Sequence, residues 1–162
     1  MLASQTFVCV STRLWADHFR AMNALTIPPR IPTIAVIDDD ESVRQATRSL
    51  VRSLGLCVIA FASAEEFLKS PRFDEVSCII SDIQMPGMNG LELQQHLALA
   101  GPERPLIFVT ALLEEHLQKQ AMAAGAVGFL IKPFEAQRLI ECLTRALETA
   151  SCRLWHRSAT PA

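Results

Sequence analysis

Five short apolar runs, at residues 33–37, 57–61, 78–81, 106–110 and 127–131, recur along the chain, each followed by a stretch of helical pattern. The runs are rich in Val, Ile and Phe and show little alternation of apolar with polar residues, the pattern of strands covered on both faces. The intervening stretches carry apolar residues at helical spacing. The first has Val43, Ala46, Leu50, Val51 and Leu54, the second Ala64, Phe67 and Leu68, and the third Leu93, Leu97 and Ala100. The fourth has Leu113, Leu117, Ala121 and Ala124, and the fifth Leu139, Ile140, Leu143 and Leu147. Asp40 and Ser63 stand where N-caps are needed, and Gly55, Gly101-Pro102 and Gly125 stand where helices must stop. Strand followed by helix, five times, predicts an α/β fold with a five-stranded parallel sheet covered on both sides. Right-handed crossovers and the chain length point to the flavodoxin-like doubly wound (βα)5 arrangement, strand order 2-1-3-4-5.

This pattern occupies residues 33–150. Residues 1–32 are read as an extension and linker, because Ile27-Pro28-Pro29-Arg30-Ile31-Pro32 cannot continue a helix. Met22, just upstream, offers an alternative start of translation. The stretch MLASQTFVCVSTRLW has no basic segment and a broken apolar run, so a secretory signal is not expected. Residues 151–162 are read as a polar, frayed tail in which Trp155 has room to pack. The formal net charge of −2 gives no bulk attraction to nucleic acid or to an anionic membrane, and no apolar run approaches the roughly 20 residues of a membrane span. Cys9, Cys57, Cys78, Cys142 and Cys152 are odd in number, widely spaced and without a CxxC pair. They are read as reduced thiols in a cytoplasmic protein, neither a disulfide framework nor a zinc site.

In a parallel sheet the C-terminal ends of all strands lie along one edge, and ligands bind there at the switch point between strands 1 and 3. Strand 1 ends in Asp38-Asp39-Asp40, strand 3 in Ser81-Asp82, strand 4 in Thr110-Ala111 and strand 5 in Lys132-Pro133. Singly, each has a plainer reading: an acidic helix cap, a loop carboxylate, a strand-end hydroxyl, a solvated ammonium. Together, at the ends of four buried strands, they describe one crevice. Crowded carboxylates repel one another and call for a cation. An all-oxygen site with incomplete protein ligation suits Mg2+. Such a site leaves one carboxylate able to attack phosphorus and form an acyl phosphate, with the Lys132 ammonium and the Thr110 hydroxyl as donors to the phosphoryl oxygens. Asp82, on the central strand, is the expected nucleophile. Pro133 permits a cis bond before it.

The segments IAVIDDDESVR (34–44), IISDIQMPGMNGLEL (79–93), FVTA (108–111) and GFLIKPF (128–134) resemble the receiver domain of response regulators. The wording of DDDESVR and MPGMNGLEL is most similar to the FixJ-type group. The resemblance implies that Asp82 is the phosphoacceptor. Asp39 would ligate Mg2+ directly, Asp38 would assist, and Gln84 would contribute its backbone carbonyl. Thr110 and Lys132 would contact the phosphoryl group, Phe129 would be the aromatic switch, and the Lys132-Pro133 bond would be cis. It further implies a sensor histidine kinase or histidine phosphotransfer protein as donor, and signalling by homodimerisation or partner binding on the face of helix 4, strand 5 and helix 5. The domain would be a phosphoacceptor and not an enzyme acting on a free substrate.

Three features depart from the family pattern. Only about a dozen residues follow the last helix, too few for the helix-turn-helix of FixJ-type proteins, so direct nucleic-acid contact is not expected. The chain has no tyrosine, so a switch at Phe129 works without a hydroxyl. Asn89 stands where the family commonly has Asp, with little effect expected. Two rival readings are a phosphorylation-independent scaffold with this fold and a haloacid-dehalogenase-like phosphatase opening on Asp38-x-Asp40. The second lacks the acidic pair it needs after the lysine, since Glu135, Glu141 and Glu148 are spread along one helix.

Overall fold

A computed structural model describes residues 31–101, 104–111 and 113–158, with side chains through residue 149. The expectations for the extension, for Met22, for Trp155 and for Cys9 and Cys152 lie outside what is described. Five parallel strands form one sheet: β1 (Thr33–Ile37), β2 (Cys57–Phe61), β3 (Val76–Ser81), β4 (Leu106–Thr110) and β5 (Gly128–Ile131), in the order β2-β1-β3-β4-β5. The helices are α1 (Glu41–Ser53), α2 (Ala64–Leu68), α3 (Gly90–Leu99), α4 (Glu115–Ala123) and α5 (Ala136–Ser158). The fold is the doubly wound one that the alternation predicts. The backbone of α5 runs on to Ser158, past the position where the sequence pattern ends the domain.

The core has two layers, one on each face of the sheet. α1 and α5 pack Val51, Leu54, Leu139, Leu143 and Leu147 against Ile34, Val36, Ile80 and Ile107. On the other face α2, α3 and α4 contribute Phe67, Leu93, Leu97 and Ala121 against Ala35, Ile37, Ile79 and Phe108. Only the inner strands are covered on both faces. β1 and β4 are buried throughout, whereas β2 is largely half-buried and β5 alternates, with Phe129 and Ile131 partly exposed. An outer strand has a neighbour on one side only, so its apolar run does not carry the same meaning.

Three helical stripes also differ in detail from the sequence reading. In α1, Thr47 and not Ala46 faces the core. In α3, Gln94 is buried in place of Ala100, because its Nε2 donates to the Ala121 carbonyl at 3.0 Å and so ties α3 to α4. Leu113 precedes α4 and is 79% exposed, and Ala124 is exposed as well. Cys57, Cys78 and Cys142 are free thiols, and burial pushes Cys78 up to about 12.

Capping fixes where the helices leave the sheet. Asp40 accepts the Ser42 and Val43 amides to start α1, and Ser63 accepts the Glu66 amide to start α2. Asn89 starts α3 in a reciprocal box with Glu92, each side chain accepting a backbone amide of the other's position. No helix among the described residues is long and apolar enough to cross a membrane.

Candidate functional site

Strand register brings the acidic residues together. Ile37 of β1 pairs with Ser81 of β3, so the residues that follow, Asp38 and Asp82, leave the sheet side by side. Two backbone hydrogen bonds extend the ladder past the strands: Asp38 N–H donates to the Phe61 carbonyl at 3.2 Å and Asp82 N–H to the Ile37 carbonyl at 2.9 Å. Thr110 pairs with Ile131, and the Lys132 amide donates to the Thr110 carbonyl at 2.8 Å, so Lys132 enters from the β4–β5 side. Its Nζ donates to Asp82 Oδ2 at 2.6 Å and to Asp38 Oδ2 at 2.7 Å. Asp38, Asp39 and Asp82 each present a carboxylate oxygen within 4.8 Å of the others. Asp38, Asp82 and Thr110 are buried, whereas Asp39 is exposed. The Lys132-Pro133 peptide is cis.

The remaining oxygens are held by backbone amides. Asp82 Oδ1 accepts the Gln84 N–H at 3.0 Å, and Asp38 Oδ1 accepts the Asp40 N–H at 3.0 Å. Both oxygens of Asp82 are therefore engaged, which fixes the plane of the carboxylate. Gln84 itself is exposed. Phe129 lies on the α2–α3–α4 face, half-buried, its ring centroid 6.3 Å from that of Phe108. It also lines a groove of about 760 Å³ with Gln118, Met122, Ile140 and Arg145, between α4, β5 and α5.

Three residues that the sequence reading left without a role bear on the site. Arg44, on the first turn of α1, donates from Nη1 to the carbonyls of Asp38 at 2.6 Å and Asp39 at 3.3 Å, bracing the β1–α1 turn. Its place in DDDESVR was the available signal. Gly90 sits against the Asp82 carbonyl, and Glu65 accepts the Met88 amide. Neither contact has a local sequence signature, because each joins segments separated in the chain.

Burial raises Asp38 above the ordinary carboxylate value, and the hydrogen bond and charge of Lys132 offset this only in part. At Lys132 burial pulls the other way, downward, but the bonds from Asp38 and Asp82 outweigh it and the net direction is up. The two directions are compatible: burial wins at the acid, and two partners win at the amine. Lys132 is thus a cation at neutral pH. A carboxyl raised in the folded state holds its proton more tightly than in the unfolded chain. The stability it contributes is present at low pH and is lost as pH rises through the folded pKa. Asp38→Asn removes that loss while keeping an acceptor for the Asp40 amide, and Lys132 retains Asp82. In chelator, the variant is expected to be about 1 kcal/mol more stable than the parent at neutral pH and nearly equal to it in acid. Thermal melts at both pH values check this. A variant less stable at neutral pH would mean that the Lys132 pairing outweighs burial.

The donor set fits a hard divalent cation: three carboxylates, and no sulfur or imidazole among the clustered groups. Residues 34–144 match the family model described as the response regulator receiver domain. The chain belongs to the response regulator receiver family. It is a signalling domain of two-component systems. Nodulation protein W of Bradyrhizobium diazoefficiens is 41% identical over 115 residues, which cover 71% of this chain and 51% of that protein. The solved structure of the response regulator StyR superposes with a TM-score of 0.74 at 40% identity, covering 80% of this chain and 65% of that one. FixJ-N gives a TM-score of 0.67 at 34% identity, covering 74% of this receiver and 96% of that chain. The receiver spans about half the length of the curated relatives it matches.

Proposed function

We propose that the receiver takes a phosphoryl group onto Asp82 from a phosphohistidine of a sensor kinase or phosphotransfer protein, in a Mg2+-dependent reaction in the cytoplasm. The observation that carries this reading is the Lys132 ammonium, 2.6 Å from Asp82 and 2.7 Å from Asp38, inside a cluster of three carboxylates. A structural ion pair needs one acid. Two buried acids and a third at the rim of the site leave a surplus of negative charge whose use is to hold a cation.

Asp38, Asp39, Asp82 and the Gln84 carbonyl would hold Mg2+, which when bound supplies positive charge against the phosphoryl oxygens. The Asp82 carboxylate forms the new bond to phosphorus as the phosphorus–nitrogen bond of the donor breaks, and the electron pair stays with the imidazole nitrogen. The amide of Gln84 keeps the carboxylate oriented through this change. The Lys132 ammonium and the Thr110 hydroxyl donate to the phosphoryl oxygens as charge accumulates on them. Drawing Thr110 toward the phosphoryl group opens space into which Phe129 turns against Phe108, and the groove between α4, β5 and α5 changes shape. Signalling then proceeds by dimerisation or partner binding on that face, through a shift between two states. In this reading residues 33–150 form the receiver, with 1–32 an extension and linker and 151–162 a tail into which α5 continues as far as Ser158.

The test is intact mass after incubation with a small phosphoryl donor. One added phosphate with Mg2+ and none in chelator is expected. No uptake, or uptake independent of Mg2+, overturns the reading.

A further inference from the structure

We infer that Glu65 is a positioning residue for the metal-side loop of this site. Its carboxylate, at the start of α2, clasps the β3–α3 loop that carries Gln84. The inference rests on the Mg2+-dependent reading above for its functional consequence, but not for its geometry.

α2 begins with two adjacent acids whose side chains part company. Glu66 turns back on its own helix start, where Oε2 accepts the Ala62 amide at 2.9 Å and its amide donates to Ser63 Oγ at 3.2 Å. Glu65 instead reaches a segment 23 residues away, and Oε1 accepts the Met88 amide at 2.7 Å. The same oxygen lies over Gly87, where a built Cβ would stand 2.5 Å from it. Gly87 has φ +77, so the loop turns there in a conformation open to glycine and presents a bare Cα to the carboxylate. The Met88 hydrogen bond is the first cause that holds the Glu65 carboxyl below its ordinary value, so the acceptor is ionised at neutral pH and the bond is charge-assisted.

The loop is pinned at both ends within itself. Gln84 N–H binds Asp82 Oδ1, Gly90 N–H binds the Ile83 carbonyl at 3.0 Å, and Asn89 caps α3. Glu65 supplies a hold from another element, at Gly87 and Met88 on the α3 side of the loop, and so closes the segment that runs from Gln84 to the α3 cap. Backbone that presents a carbonyl to a metal must be fixed by its surroundings, and outer-shell partners of this kind commonly set metal affinity. The Gln84 carbonyl is the ligand that no side chain of its own residue can steer, so it depends most on such a hold.

Glu65→Ala and Glu65→Gln separate the clasp from a merely structural role, because glutamine keeps an acceptor oxygen at the same reach. Mg2+ titrations of phosphoryl uptake are expected to show half-saturation raised roughly tenfold in Glu65→Ala, with the rate at saturating Mg2+ within about twofold of the parent, and near-parental behaviour in Glu65→Gln. Amide exchange at Met88 reads the clasp itself. It is expected to accelerate in Glu65→Ala and to remain slow in the parent and in Glu65→Gln. Parental half-saturation in Glu65→Ala, a loss that saturating Mg2+ does not restore, or a Glu65→Gln variant as impaired as the alanine overturns the inference. A parent that takes up no phosphate defeats the phosphoryl-transfer reading instead. The Met88 exchange rates then decide whether the clasp exists.

Discussion

Asp82→Asn is expected to fold like the parent and to lose phosphoryl uptake by about three orders of magnitude or more, the scale on which removal of a covalent nucleophile acts. Asparagine has nearly the same shape, and its Oδ1 still accepts the Gln84 amide, so the loop after β3 keeps its anchor. What disappears is the negative oxygen able to bond to phosphorus. Stability should not suffer. The substitution removes one of two buried carboxylates that share the Lys132 ammonium, and Lys132 keeps Asp38 at 2.7 Å. A variant that is equally or more stable, yet unreactive to a small phosphoryl donor by intact mass, is the expected pair of results. The same experiment separates the rivals. A phosphatase working from Asp38 would continue to turn over phosphomonoesters in Asp82→Asn and stop in Asp38→Asn. A phosphorylation-independent scaffold would take up no phosphate even as the parent. Residual uptake above a few per cent in Asp82→Asn would move the acceptor to another carboxylate of the cluster.

The fold was legible because burial writes itself into the sequence. β1 and β4 are covered on both faces, and their apolar runs match the observed bounds. β3 begins two residues before its predicted start, at Val76, where Ser77 interrupts the apolar run although the backbone already pairs with β1. The strand-end residues were legible for a related reason. The topology fixes which ends converge, so the sequence alone groups Asp38, Asp82, Thr110 and Lys132. The supports of the site were not legible. Glu65 sits in the first turn of a helix, where acids are favoured by the helix dipole whether or not they do anything else. Gln94 reads as a solvent-facing polar residue until its bond across to Ala121 is seen. Asn89 stands where the family usually has Asp and caps α3 with both a side-chain acceptor and a reciprocal partner, a role that either residue fills but that its place in the turn does not announce. Contacts that join distant segments leave no periodicity behind, and a polar residue's partner is set by packing that the local sequence does not encode.

Gly90→Ala is expected to destabilise the receiver by about 3 kcal/mol, a drop in melting temperature of roughly 10 °C, although Gly90 is the first residue of a helix, where alanine is normally welcome. The obstacle is rigid. A Cβ at this position would overlap the Asp82 carbonyl oxygen and stand 2.9 Å from both Ile83 Cα and the Phe108 ring. Two of these are backbone atoms at the end of the central strand, and Phe108 is fully buried. α3 cannot retreat cheaply, since the Gly90 amide donates to the Ile83 carbonyl at 3.0 Å and the Asn89–Glu92 box begins one residue earlier. Nor can the Asp82 carbonyl yield freely, because it accepts the Ser81 hydroxyl at 2.8 Å. Any relief therefore strains either the start of α3 or the segment that carries Asp82, and both adjoin the carboxylate cluster. Phosphoryl uptake should fall together with stability and should not recover at temperatures where the variant remains folded. Glu92→Ala is the comparison: it removes one half of the capping box without touching Asp82, and about 1 kcal/mol is expected with uptake preserved. If Gly90→Ala melted no lower than Glu92→Ala, the close approach of α3 to the Asp82 carbonyl would be soft. The position of Asp82 would then not depend on the missing side chain.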